Sequence, residues 1–211
     1  MDKSFKEAMN FRHACKLFDK NKKITKEDML FILEAGRNSP SSFGQEGWKF
    51  LIITDDELKS KIQPYCWNQP QITTCSHLVI ILAAIEALKP QSGTPQKRFQ
   101  RRDLPKEKID MYIKVYESHL TKNKILSNDK NIYEWSSKQC YIAAANMMTA
   151  AAVKGIDSCP IEGMEKENVE KLLGLDTTKF QIALVLPFGY RAKPQPARIR
   201  LNPKEVYEFI D

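Results

Sequence analysis

From Cys140 to Val153 the chain is almost unbroken apolar sequence, interrupted only by Asn146 and Thr149. A helix lying on a protein surface shows a polar face, and this stretch has nearly none. Spanning a bilayer takes about 20 apolar residues, and the run is shorter than that. It is therefore expected as a central helix, about Tyr133 to Lys154, buried by the rest of the protein. Gly155 supplies a stop, because glycine takes the left-handed C-cap conformation at low cost. The chain then leaves through Asp157-Ser158-Cys159-Pro160-Ile161-Glu162-Gly163. A polar, proline-bearing turn fixed to a buried helix is a good place to hold a ligand.

Other elements group around this helix. Residues 2–10 pattern as a short helix. Thr25 and Asp28 give a capping-box-like start to a second, with Gly36 as its expected stop. Trp48 to Thr54 has strand composition, and Asp55 or Asp56 can cap a helix to about Ile62. Pro64 to Pro70 is a break rich in aromatics and amides, and a short helix is expected after it. His77 to Ala84 is apolar throughout, as a central strand with both faces covered would be. Residues 86–103 carry Pro90, Gly93, Pro95 and the basic cluster Lys97, Arg98, Arg101 and Arg102, and are expected as a mobile excursion. A helix from about Lys106 to Leu120, a polar link over 121–130, a helix at Glu165 to Leu173 and a strand at Phe180 to Leu186 complete the order. The tail after Gly189 has three prolines in its first nine residues and is expected to lie extended across another subunit. Strands scattered between helices with long crossovers imply an α+β or mixed α/β sandwich, and 211 residues suit a single domain.

Composition narrows the chemistry. Thirty-three Lys and Arg against 26 Asp and Glu give a net charge of +7, which suits an anionic partner: a phosphate-bearing cofactor, nucleic acid or an acidic surface. The five cysteines include no CxxC pair, which argues against a disulfide framework or zinc site and for reduced thiols in the cytoplasm. The charged N-terminus lacks the apolar core of a signal peptide, and no segment is long enough for a membrane anchor. There is no GxGxxG, no phosphate-binding GxxxxGK[ST], no GxSxG and no HExxH. His13, His77 and His119 are isolated, so no metal site is expected. No RNP-like or zinc-finger pattern supports a nucleic-acid module, although the 97–102 cluster keeps a nucleic-acid- or protein-binding alternative open. What remains is a set of separated polar loops at 12–16, 40–48, 67–69, 159–163 and 198–200.

These loops carry a resemblance. Arg12-His13-Ala14-Cys15-Lys16, Ser39-Pro40-Ser41-Ser42 ahead of Trp48, Asn68, Pro160-Ile161-Glu162-Gly163 and Arg198-x-Arg200 together resemble the flavin-dependent nitroreductase family, of the oxygen-insensitive NAD(P)H type. The order fits along nearly the whole chain. The resemblance implies an α+β sandwich with a central, mostly antiparallel sheet flanked by helices. It also implies an intertwined homodimer with one FMN at each end of the interface. Residues 85–125 would shape the substrate pocket and 190–211 would cross the partner.

By the same resemblance the cofactor-binding positions are Arg12, His13, Ala14, Lys16, Pro40, Ser41, Ser42, Gly44, Asn68, Glu162, Gly163, Arg198 and Arg200. Arg12, Arg198 and Arg200 would hold the FMN phosphate, a task that suits guanidinium groups. Lys16 would lie near flavin N1 and the C2 carbonyl, and Asn68 would pair with the pyrimidine edge. Ser41 and Ser42 would reach the flavin from the partner chain, and the Glu162-Gly163 turn would face N5. No protein side chain is implied as the catalyst; the flavin does the chemistry, supported by Lys16, Glu162 and Gly163. The activity implied is ping-pong two-electron transfer from NADH or NADPH to nitroaromatics or quinones. A flavin reductase or other metabolite reductase on the same scaffold is the alternative.

The chain also departs from the family. Gly44 and Glu46-Gly47 stand where Asn and a Gln-Pro pair are common, Ala14 replaces a common serine, and Arg198 stands where lysine is common. Cys159 reads either as a small buried filler or as a thiol tuning the flavin or its pocket.

Overall fold

A computed structural model of the chain describes residues 2–210. Four strands, β1 (Trp48–Ile53), β2 (His77–Ala84), β3 (Asp157–Ser158) and β4 (Phe180–Gly189), form one antiparallel sheet in the order β1-β2-β4-β3. Eight α-helices surround it: α1 (Phe5–Phe11), α2 (Lys26–Arg37), α3 (Asp56–Ile62), α4 (Gln71–Thr74), α5 (Thr94–Gln100), α6 (Lys106–Lys122), α7 (Asp129–Val153) and α8 (Lys166–Leu172).

The sheet is covered on both faces, as the unbroken apolar run of β2 requires. Side chains alternate across a strand. Leu78, Ile80 and Leu82 accordingly join a core with Ile62, Ile72 and Val169, on the side of α3, α4 and α8. Val79, Ile81 and Ala83 join a second core with Met29, Ile32, Cys140, Ala144 and Met147, on the side of α2 and α7. A third cluster places Phe99, Tyr116 and Leu120 of α5 and α6 against Leu88 and Ile132.

Four local expectations change. Gly36 does not stop α2, which ends at Arg37 with Asn38 as its C-cap. Its function is close approach: a Cβ there would run into the Met147 side chain, so the glycine lets α2 settle on α7. Helix α7 begins at Asp129, before the expected Tyr133, because the Asn128 side chain accepts from Asn131 N–H and caps it. Strand β4 continues through Pro187 to Gly189. The Pro187 carbonyl accepts from Cys159 N–H, so its missing donor faces the short strand β3, where little ladder remains to be lost.

The fourth concerns α7 itself. Cys140, Ala143, Ala144, Met147 and Ala151 are buried, but Tyr141, Ile142, Ala145 and Asn146 are exposed. One subunit therefore buries about half of the helix circumference and leaves an apolar stripe open. The excursion at 86–103 is largely helical, with Phe99 buried beneath α6. No helix among the described residues is long and apolar enough to cross a membrane.

Candidate active site

The chain brings most of the expected residues to the open edge of the sheet beside β3. The segment after α1 is sewn there by Cys15 N–H donating to Ser158 O at 3.0 Å, with Ala14 bridged to Ser158. On the far side Ile161 and Val185 exchange both backbone hydrogen bonds, at 2.8 and 3.0 Å. The turn from Cys159 to Gly163 is thus held by β4, and the Arg12–Lys16 segment by β3.

Three guanidinium groups converge at one end. Arg198 donates to the carbonyls of Asn10 and Arg12. Partial burial, and then the charges of Arg198 and Arg200, press the Arg12 pKa below its ordinary value. None of the three pairs with a carboxylate among the described residues. Like charges gathered without a counterion are costly, and an anion relieves the cost. Nearby Arg191 is different: it lies 2.6 Å from Asp157 and stacks at 4.1 Å over the Phe11 ring. His13 faces that pair, with Nδ1 3.4 Å from Asp157 Oδ1. His13, Cys15 and Asp157 lie close enough together to suggest a metal triad. Arg191 already engages both oxygens of the Asp157 carboxylate, and burial pushes the Cys15 thiol up to about 11.

At the other end lies the Glu162-Gly163 turn. The Tyr141 hydroxyl donates to Glu162 Oε1 at 2.6 Å, tying the turn to α7. The Gly163 carbonyl accepts from Gln69 Nε2 at 3.0 Å. Trp67 and Asn68 both take left-handed backbone conformations, with φ of 54° and 52°, and both are exposed. Trp67 lies directly on Gly163: an added Cβ would come within 2.5 Å of the indole. Lys16 lies between the two ends, its ammonium 3.6 Å from the sulfur of Cys159.

Pro40, Ser41, Ser42 and Gly44 stand apart from this group. Their loop precedes β1 and is fixed from other elements. Ser42 N–H donates to Gln139 Oε1 at 2.9 Å, Arg101 pairs with Glu46 at 2.8 Å, and Arg102 donates to Phe43 O at 2.7 Å. The basic cluster, read from sequence as a possible interaction patch, thus places Arg101 and Arg102 on the serine loop. Ser42 lines a cavity of about 570 Å³ with His119, Trp135, Lys138 and Gln139. Gln139 and Tyr141 are two residues apart on α7, roughly 200° around a helix that turns about 100° per residue. The serine loop and the Glu162 turn are therefore anchored on different sides of one helix.

Residues 9–190 match the profile of the Nitroreductase family. The chain belongs to that family. The chain is 39% identical to YfkO of Bacillus subtilis, provisionally named an NAD(P)H nitroreductase, over 97% of this chain and 96% of that one. It is 38% identical to a provisionally named NAD(P)H nitroreductase of Staphylococcus epidermidis, over 100% of this chain and 99% of the other. Among solved structures, a provisionally named NAD(P)H:FMN oxidoreductase of S. epidermidis superposes with a TM-score of 0.83 at 26% identity, covering 100% and 98% of the two chains. A provisionally named nitroreductase of Exiguobacterium sibiricum, solved in complex with FMN, shares the fold at a TM-score of 0.83 and 22% identity, over 98% and 97% of the chains. The expected nitroreductase-like α+β sandwich is the observed fold.

Trp67 and Gln69 stand out in the sequence only as part of the polar loop 67–69, and Gln71 not at all, yet all three face the Cys159–Gly163 turn. The aromatic and amide richness of the 64–70 break was the available signal, but it carries no direction until the chain is folded.

Proposed function

We propose that this nitroreductase binds FMN and uses NADH or NADPH to reduce nitro compounds or quinones, two electrons at a time. The observation that carries the reading is the trio Arg12, Arg198 and Arg200, unpaired with any carboxylate among the described residues, on the same side of the sheet as the glycine turn at 163. The donor set fits the cofactor. Three guanidinium groups suit a terminal phosphate. Lys16 offers a cation where the reduced ring gathers charge, and Asn68 an exposed amide with both a donor and an acceptor. The absence of a Cβ at Gly163 makes room for the Trp67 indole, which packs directly on the turn. FMN, when bound, supplies hydride acceptance and two-electron donation at one shared position, which makes the order ping-pong. The protein binds, orients and excludes water; Ala14 and Cys15 hold the Arg12–Lys16 segment against Ser158.

The working unit in this reading is a homodimer. Ile199, Leu201, Val206, Tyr207, Phe209 and Ile210 of the tail are 61–93% exposed, and Tyr141 and Ile142 open the α7 stripe. A second copy would cover these surfaces and bring its Ser41–Ser42 loop to the arginine–lysine half-site. Residues 85–125, which line the cavity beside Ser42 through His119 and Asn123, would shape the acceptor pocket. A flavin reductase or another metabolite reductase on this scaffold is distinguished by substrate, since fold does not fix substrate.

Equilibrium dialysis with FMN, followed by steady-state rates over nitroaromatics, quinones and free flavins, tests the reading. One FMN per chain and parallel double-reciprocal lines with a nitro or quinone acceptor are expected. A protein that takes up no FMN contradicts the cofactor assignment, and fastest turnover of free flavin contradicts the acceptor assignment.

A further inference from the structure

No carboxylate among the described residues pairs with Lys16. Its ammonium meets Cys159 Sγ at 3.6 Å, and the amide Nε2 of Gln71 reaches the same sulfur at 3.8 Å. Gln71 Nε2 also donates to Gln69 Oε1 at 2.8 Å, and Gln69 Nε2 donates to Gly163 O at 3.0 Å. A single row of polar contacts therefore runs from Lys16 through Cys159, Gln71 and Gln69 to Gly163. Its two ends are the groups assigned above to the two ends of the flavin's reacting edge.

Packing alone explains part of this. Cys159 is fully buried in the core with Ile161 and Cys15, as a small apolar filler would be. A filler does not explain why two N–H donors converge on its sulfur. Nor does it explain Gln71, which is 1% exposed and whose Oε1 has no partner among the described residues. A buried acceptor without a donor among the described residues is open to a donor from outside the chain, such as an N–H group. The pyrimidine edge of a flavin carries one. Burial raises the Cys159 pKa, with Lys16 and Gln71 opposing it, so a neutral thiol meets the ammonium. A neutral sulfur orients the cation without cancelling its charge, leaving that charge for the ligand.

We infer that Cys159 and Gln71 are positioning residues that set Lys16 and the Gly163 turn as one unit, and that the reduction potential of bound FMN depends on the Cys159–Lys16 contact. The inference rests on the FMN-binding reading and adds to it a residue pair through which this chain tunes the cofactor.

The test compares the FMN-loaded wild type with C159A, C159S, K16A and C159A/K16A, by anaerobic redox titration against reference dyes. Losing a hydrogen bond to a charged group is worth about tenfold. C159A is therefore expected to weaken reduced FMN relative to oxidised FMN by about tenfold, a drop of ~30 mV for a two-electron couple. C159S keeps an acceptor and is expected to fall within about threefold of wild type. In the K16A background C159A is expected to change nothing further, because the two act through one contact. An unchanged potential in C159A overturns the inference, as does a shift that persists without Lys16. A second arm uses the cofactor-free protein: the Lys16 side-chain ¹³Cε resonance is expected to move in C159A and to be restored in C159S. An unmoved resonance overturns the contact, whether or not FMN binds. Failure of the wild type to take up FMN instead sinks the functional reading, and the resonance then decides the contact alone.

Discussion

The indole of Trp67 rests on Gly163 so closely that a Cβ there would stand 2.5 Å from the ring. The glycine is fixed by its neighbour, since the indole occupies the space in which any side chain would stand. Because Trp67 is 67% exposed, the ring can swing outward when crowded. Gly163→Ala should therefore cost the site more than the fold. Thermal stability is expected to change by under about 0.5 kcal/mol, as for other surface changes. The FMN Kd is expected to rise about tenfold, the worth of one hydrogen bond to a charged group. Melting curves and FMN fluorescence titration measure the two, and an unchanged Kd would remove Gly163 from the site.

The arginine trio makes a different prediction. Arg12→Ala and Arg200→Ala each remove a guanidinium from a cluster that pairs with no carboxylate among the described residues. The cofactor-free protein should melt at or slightly above the wild-type temperature, because like-charge repulsion is relieved. FMN binding should weaken about tenfold to a hundredfold and become less sensitive to salt. Parallel loss of FMN affinity and of cofactor-free stability would show a purely structural role.

Stability should also fall in mild acid. Burial, followed by the charge of Arg191, lowers the His13 pKa from its ordinary 6.5; Asp157 opposes the shift. Burial, with Lys59 and Lys23, lowers that of His77 from the same 6.5. Both groups are kept neutral in the folded chain, while the unfolded chain binds protons below pH 6.5. Their contribution is present above 6.5 and is lost as pH falls through the folded values. Melting temperatures of wild type and His77→Gln across this window should converge as pH drops. Curves that stay parallel would remove His77 from the effect.

Much of this was legible in the chain. The apolar run of β2 shows its burial within eight residues, and the caps at Thr25 and Asp55 and the glycine after α7 act through neighbours a few residues away. The polar loops that carry the site could be placed in order, and the arginines at 12, 198 and 200 do come together. What could not be read depends on residues far apart in sequence. Gly36 looked like a stop because nothing local reveals Met147 against it. The strand continued through Pro187 because β3, the neighbour facing its missing N–H, is only two residues long. The row from Lys16 to Gly163 joins residues up to 143 positions apart through side chains that carry no local signature.

The separation of the serine loop from the arginine–lysine half-site gives a prediction about assembly. Ile142 is exposed on the open stripe of α7. Ile142→Asp should yield a folded monomer by sedimentation, with helical circular dichroism retained, and its FMN affinity should fall by at least about tenfold. A monomer that holds FMN as tightly as wild type would show that one chain completes the site.

Anaerobic titration of the FMN-loaded protein with NADH and, separately, with NADPH tests the cofactor and the electron donor most directly. The yellow colour of the bound cofactor is expected to bleach with one equivalent of at least one of the two donors and to return on adding a nitroaromatic or quinone. Colour that survives excess of both donors would contradict the assignment of this nitroreductase as an NAD(P)H-dependent flavoenzyme.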